Sequence, residues 1–159
     1  MTDNIIRDIV KFVIILIICL TAGLIGSLFT APAIPVWYAA LEKPFFTPPD
    51  WLFAPVWTSL FVLMSISATL VWRSGHPYTS TALGIFSAQL ILNALWSWAF
   101  FGLRSPFAGL IEIVFLWIAI VITIKVFYGI SRTAGYLLIP YILWVTLALL
   151  LNFFIWRLN

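Results

Sequence analysis

Five long apolar stretches, separated by short polar segments, run along the chain. Each stretch has about the 20 residues that an α-helix needs to cross roughly 30 Å of hydrocarbon. The pattern therefore predicts an all-α integral membrane protein in which residues 1–159 form a single domain, a five-transmembrane-helix bundle. The predicted spans cover approximately residues 9–29, 51–72, 82–103, 107–127 and 134–156.

The connection between the first two predicted spans, residues 30–50, is the longest in the chain. With the start of the second span it carries the sequence WYAALEKPFFTPPDWLFAPVW, from Trp37 to Trp57, which is rich in proline and aromatic residues. Prolines limit the conformational entropy that a loop loses when it becomes ordered. We therefore expect a stiff lid over a pocket rather than a flexible spacer.

The composition agrees with a membrane protein, because 64% of the residues are hydrophobic and 8% are charged, against about 25% charged residues in soluble domains. The net charge of +3 is spread along the chain, which argues against a nucleic-acid-binding arm. A short chain without targeting extensions suits a bacterial plasma membrane.

The basic residues favour one orientation in that membrane. Five helices place five basic residues on the side of the amino terminus and three on the other side, which favours a cytoplasmic amino terminus. The first group is Arg7, Lys11, Arg73, Lys125 and Arg132, and the second is Lys43, Arg104 and Arg157.

Polar and aromatic residues on the second, third and fifth predicted helices lie at a similar depth. Polar side chains are costly in a bilayer unless they face a partner or a cavity, so we expect them to point inward. At about 1.5 Å per residue, five of them and Glu112 of the fourth helix lie roughly 6 to 15 Å below the membrane face that carries the first loop; the five are Trp57, Asn93, Trp96, Ala148 and Asn152. Aromatic rings and a few amides at one depth predict a pocket for a flat, largely apolar ligand. The residues selected in this way are Trp57, Phe61, Asn93, Trp96, Trp144, Ala148 and Asn152.

Some residues admit a second interpretation. Gln89 can line the pocket or form a hydrogen bond between helices. Glu112, the one acidic residue within a predicted span, can be functional or can extend its carboxylate to the membrane interface. In the first span, pairs of small residues four positions apart allow close packing, either within the chain or across a homodimer interface. The candidate interface residues are Ala22, Gly23, Gly26 and Ser27.

Familiar catalytic and metal-binding patterns do not occur in the sequence. His76 is the only histidine and Cys19 the only cysteine, which excludes a pair of His ligands for zinc or haem and an intrachain disulfide. There is no nucleophile elbow, no P-loop and no acidic pair for metal-assisted transfer. We therefore expect no hydrolase or kinase activity and no required metal or cofactor.

The longest motifs of the chain resemble those of one known family. WYAALEKPFFTPPDWLFAPVW, AQLILNALWSWAFF and PYILWVTLALLLNFFIWRLN are similar to segments of the translocator proteins, also called tryptophan-rich sensory proteins or peripheral benzodiazepine receptors. The resemblance implies a five-helix membrane protein, commonly dimeric. It implies that porphyrins such as protoporphyrin IX, haem-related tetrapyrroles, sterols and benzodiazepine-site drugs bind beneath the first loop. It adds Tyr38 and Pro48 to the residues that would bind the ligand.

The resemblance also has implications for chemistry. Trp57 and Trp144 would match tryptophans that some bacterial members use in light-dependent breakdown of porphyrin. The family's sterol-recognition pattern has a tyrosine where this chain has Phe153, between Leu151 and Arg157, which weakens the case for cholesterol binding by that segment.

Three functions are compatible with the sequence. The first, which it favours, is a membrane receptor that binds porphyrins or other flat hydrophobic ligands in sensing, sequestration or transport. The second is photo-oxidative porphyrin degradation, with Trp57 and Trp144 as the candidate catalytic residues. The third is a non-catalytic structural role in which the small-residue faces modulate another membrane complex.

Overall fold

The computed structural model describes residues 2–159, with side chains from Asn4 onward. In this part of the chain, five helical segments are long and apolar enough to cross a membrane. The predicted all-α, five-helix architecture is therefore confirmed. The segments are Asn4–Tyr38, Asp50–Arg73, Thr79–Gly102, Pro106–Ile130 and Arg132–Leu158.

Six α-helices make up these segments in residues 2–159. They are α1 (Thr2–Ala33), α2 (Phe53–Arg73), α3 (Thr79–Ser97), α4 (Pro106–Ile130), α5 (Arg132–Leu137) and α6 (Ile139–Leu158). Three shorter turns extend them. A π-helical turn, Ile34–Tyr38, continues α1; a 3-10 turn, Asp50–Leu52, precedes α2; and a second π-helical turn, Trp98–Gly102, continues α3.

The starts of α4 and α5 follow from local sequence. Ser105 caps α4 by accepting a hydrogen bond from the backbone N–H of Ala108 at 3.2 Å, and Pro106 occupies the first helical position, where its missing N–H leaves no bond unmade. Ser131 caps α5 in the same way, through Ala134. These caps allow the short turns that set neighbouring helices antiparallel.

The first helix is longer than the sequence predicts, and the prediction of a loop beginning at residue 30 is wrong. Pro32 lies within α1 and Pro35 within the following π-helical turn. A wider π-helical turn absorbs irregularities in the backbone hydrogen bonding, such as those that proline introduces. The loop proper is therefore residues 41–49.

The helices pack as a ring in the order α1, α2, α5–α6, α4 and α3. The half of the bundle farther from loop 41–49 is densely filled: Cys19 and Met64 are fully buried. Ser67 donates a hydrogen bond to the carbonyl of Ala134 at 2.7 Å, which joins α2 to α5. At the same end, Arg73 and Asp8 form an ion pair at 3.0 Å between α2 and α1.

Candidate functional site

A cavity of about 470 Å³ lies between α1, α2, α3 and α6, in the half of the bundle nearer loop 41–49. Its volume falls in the range of about 300–1,000 Å³ that is typical of small-molecule sites. Seven of the nine predicted ligand-binding residues lie in its wall, and each of the four surrounding helical segments contributes at least one of them. They are Tyr38, Trp57, Phe61, Asn93, Trp96, Ala148 and Asn152.

Two predicted residues lie outside the cavity wall. Pro48 is in loop 41–49, and Trp144 lies behind Phe53, with 5.7 Å between the two ring centroids in an edge-to-face contact. Phe53 is the residue of this pair that lines the cavity. The indole Nε1 of Trp144 is buried and has no hydrogen-bond partner in the described part of the chain.

Two adjacent phenylalanines, which the sequence analysis did not select, form much of the aromatic wall. The π-helical turn after α3 presents Phe100 and Phe101, whose ring centroids are 4.8 Å apart. Trp96 stacks on Phe100 at 5.7 Å, and Tyr38 contacts Phe101 at the same distance. Phenylalanine is common in apolar helices, so nothing in the sequence distinguished these two.

Asn152 fixes the orientation of Trp96. Its Oδ1 accepts a hydrogen bond from Trp96 Nε1 at 3.2 Å, and its Nδ2 donates to the carbonyl of Pro106 at 2.6 Å. Gly109 makes room for this arrangement, because a Cβ at that position would lie 2.8 Å from Asn152 Oδ1. Residues of α3, α4 and α6 are thus connected through one amide.

A second polar connection joins α3 to α6. Asn93 Nδ2 donates to the Tyr141 hydroxyl at 2.9 Å, and that hydroxyl donates to Gln89 Oε1 at 2.9 Å. Gln89 does not line the cavity, so of its two interpretations the structure shows the hydrogen bond between helices. Asn93 Oδ1 and Trp57 Nε1, both on residues of the cavity wall, make no hydrogen bond within residues 4–159. Asn93 Oδ1 is therefore a free acceptor of the wall and Trp57 Nε1 a free donor.

Glu112 is half-buried, and its carboxylate is enclosed by the bundle, whereas one of its two interpretations had it extend to the membrane interface. Both carboxylate oxygens are inaccessible and lack a hydrogen-bond partner among the described residues. Glu112 does not line the cavity.

The small residues of α1 pack within the chain. A Cβ on Gly23 would lie 2.4 Å from a ring carbon of Phe61, and one on Gly26 would lie 2.9 Å from the Ser97 hydroxyl. Gly23 and Gly26 therefore let α1 approach α2 and α3, which is the intrachain alternative. The four candidate interface residues, Ala22, Gly23, Gly26 and Ser27, all line the cavity, and a homodimer stays a prediction.

Loop 41–49 is tied to the carboxyl end of α6. Glu42 N–H donates to Asn159 Oδ1 at 3.0 Å, and Asn159 Nδ2 donates back to the Glu42 carbonyl at 3.0 Å. We call this pair the amide clamp. Phe46 adds an edge-to-face contact with Phe154, at 5.6 Å between centroids. The loop thus lies over the end of the bundle, while Tyr38, on the π-helical turn, is the residue that reaches the cavity.

The sequence is similar to proteins of one family over nearly its whole length. A profile of the TspO/MBR family matches residues 15–157, which contain the entire cavity wall. The "Tryptophan-rich protein TspO" of Archaeoglobus fulgidus is 46% identical, over 96% of this chain and 99% of the relative. "Protein CrtK" of Rhodobacter capsulatus is 37% identical, over 93% and 92%. The human "Translocator protein" is 36% identical, over 85% and 82%.

Proposed function

The chain belongs to the TspO/MBR family, and on that basis we propose that it is a membrane receptor for porphyrins and other flat hydrophobic ligands. The observation that carries the proposal is the aromatic cavity of about 470 Å³ within the bundle. Rings of Trp57, Trp96 and Phe100 provide apolar faces for a planar molecule. We propose that protoporphyrin IX or a haem-related tetrapyrrole binds there, and that sterols or benzodiazepine-site drugs can take its place.

The distribution of polar atoms supports a ligand that is mainly apolar with a few hydrogen-bonding groups. Both polar atoms of Asn152 already have a partner, Trp96 Nε1 for Oδ1 and the Pro106 carbonyl for Nδ2, so Asn152 chiefly holds the wall. Free groups of the wall, among them Asn93 Oδ1 and Trp57 Nε1, would orient the ligand. The bound molecule would take part in sensing, sequestration or transport.

Ala148→Thr tests the binding proposal. Ala148 is in the cavity wall, so the added side-chain atoms should crowd the ligand and weaken the affinity for protoporphyrin IX by about tenfold, equivalent to roughly 1.4 kcal/mol. Saturable quenching of tryptophan fluorescence in detergent measures the dissociation constant. Ala88→Thr is the matched control, because Ala88 is exposed on α3 and outside the cavity. Equal affinities for the two variants would contradict the proposal, as would an absence of saturable quenching by the parent chain.

A light-dependent breakdown of porphyrin is the second candidate, and the position of Trp57 favours it. Trp57 lines the cavity and contacts Tyr141, with 6.3 Å between the two ring centroids. Trp144, in contrast, is separated from the cavity by Phe53. If degradation occurs, Trp57→Phe should slow the loss of porphyrin absorbance under illumination more than Trp144→Phe does. Equal rates for the parent and both variants, with binding retained, would rule out a role for these tryptophans.

The chain is a multi-pass membrane protein with bacterial and archaeal relatives. We propose that it acts in a bacterial plasma membrane as a homodimer, with a cytoplasmic amino terminus and loop 41–49 on the outer face. The excess of basic residues on the side of the amino terminus supports this orientation.

A further inference from the structure

The upper halves of α1 and α2, the halves nearer loop 41–49, are separated by the cavity. Near the other end of the bundle the two helices are held together by the Arg73–Asp8 ion pair and by Lys11 over the Trp72 ring at 5.7 Å. Halfway along, Gly23 packs directly against Phe61. From about the level of that contact to the end nearer loop 41–49, residues of both helices line the cavity.

Several residues of the cavity wall are exposed, and apart from Asp50 beside the loop they all lie on α1 and α2, which indicates that the cavity opens between these two helices. Leu20 and Leu24 are 41% and 64% exposed. The exposed wall residues of α1 are spaced four, three and four positions apart, so they form a straight edge about 16 Å long. Those of α2 are four positions apart and form the facing edge. The rim consists of Leu20, Leu24, Ser27 and Ala31 on α1 and Ala54 and Thr58 on α2.

The rim is suited to contact with lipid. It lies within two membrane-spanning segments, Asn4–Tyr38 and Asp50–Arg73. The Ser27 hydroxyl donates to the Leu24 carbonyl at 2.7 Å, and the Thr58 hydroxyl donates to the Ala54 carbonyl at 2.8 Å. No hydroxyl donor of the rim is therefore left unpaired, as a hydrocarbon environment requires.

Tyr38 covers part of the cavity on the side of the loop. It is 6% exposed, and its ring contacts Phe101 and the Lys43 ammonium, which lies 4.7 Å from the ring centroid. The amide clamp between Glu42 and Asn159 holds the loop in place above it. Entry from water past Tyr38 would require these contacts to break.

We propose that the ligand enters the cavity sideways from the bilayer, through the gap between α1 and α2. The inference rests on the proposed function, since it concerns the same ligand and the same cavity, and it specifies a class: molecules that partition into the hydrocarbon before they bind. A flat, apolar molecule can pass between two helix edges without a change in the loop. The gap would then determine the rate of binding, and the cavity wall would determine the affinity.

A bulky residue on the rim tests the route. Thr58→Phe should slow the association of protoporphyrin IX in lipid nanodiscs by about tenfold, which corresponds to roughly 1.4 kcal/mol on the barrier. Ser59→Phe is the matched control: Ser59 is adjacent, exposed and outside the cavity wall, and its hydroxyl also bonds to a backbone carbonyl of its own helix. Stopped-flow fluorescence gives the association and dissociation rate constants of each variant. A route through the gap predicts that the association and dissociation rate constants both fall for Thr58→Phe, because the ligand crosses the same barrier in each direction, and that both stay unchanged for Ser59→Phe.

A second pair on the opposite edge guards against misfolding of one variant. Ala31→Phe should also slow association, while Leu28→Phe, at a position 67% exposed and outside the wall, should not. Equal association rate constants within each pair, with saturable binding by the parent chain, would overturn the lateral route and leave the proposed function intact. A parent chain that does not bind saturably would instead refute the proposed function.

Discussion

Gly109→Ala is expected to destabilise the bundle where α3, α4 and α6 meet. The new Cβ would lie 2.7 Å from Phe100 Cδ2, 2.8 Å from Phe100 Cβ and 2.8 Å from Asn152 Oδ1. Phe100 Cβ is attached to the backbone of the π-helical turn, so a rotation of the side chain cannot relieve that contact. Overpacking of this kind costs about 1–3 kcal/mol. Alanine also favours a helix over glycine by about 0.5–1 kcal/mol, so we expect a net loss of up to about 2.5 kcal/mol.

The measurement is the melting temperature in detergent, followed by near-ultraviolet circular dichroism. For a chain of this length, 1 kcal/mol corresponds to a shift of about 2–4 °C, so Gly109→Ala should lower the melting temperature by a few degrees. Gly84→Ala is the control: Gly84 also lies within an α-helix, and a Cβ there would meet nothing within 4 Å. It should leave stability unchanged or raise it. The reasoning is refuted if Gly109→Ala is as stable as Gly84→Ala.

Two further predictions concern the polar contacts. Tyr141→Phe removes the hydroxyl that joins Asn93 to Gln89. Because two buried amide groups lose their partner, the free energy of unfolding should fall by about 1–3 kcal/mol. Tyr136→Phe, at an exposed tyrosine, should change the melting temperature little, and equal shifts in melting temperature for the two variants would contradict this account. Asn159→Ala removes the amide clamp, so backbone amides of loop 41–49 should exchange with deuterium faster. Leu158→Ala, at an exposed position, should leave that exchange unchanged. Unaltered exchange in Asn159→Ala would show that other contacts hold the loop.

The architecture could be predicted from sequence because each span is a continuous apolar stretch of membrane-crossing length. The end of α1 could not, since prolines usually interrupt helices and only the packed structure shows a π-helical turn through Pro35. The same limit applies to Trp98–Gly102, where no residue pattern marks the wider turn. Hydropathy thus identifies the spans but not the local backbone geometry within them.

The location of the cavity could be predicted from depth, but its outline could not. Trp57, Asn93 and Trp96 were selected because rings and amides stand out within apolar helices. Phe100 does not stand out, and its role depends on the turn that carries it. Neighbouring side chains also matter: Trp144 was selected with Ala148 and Asn152 on one stripe of its helix, yet it lies behind Phe53.

The enclosed position of Cys19 has a practical consequence. It is the only thiol in the sequence, and its side chain is 0% exposed within the α1–α2 packing, so a maleimide reagent cannot reach it while the bundle is intact. A cysteine introduced at an exposed site can therefore carry a spin label or a fluorophore by itself, without removal of the native residue. Conversely, slow modification of Cys19 in the unlabelled chain would report how often these two helices separate.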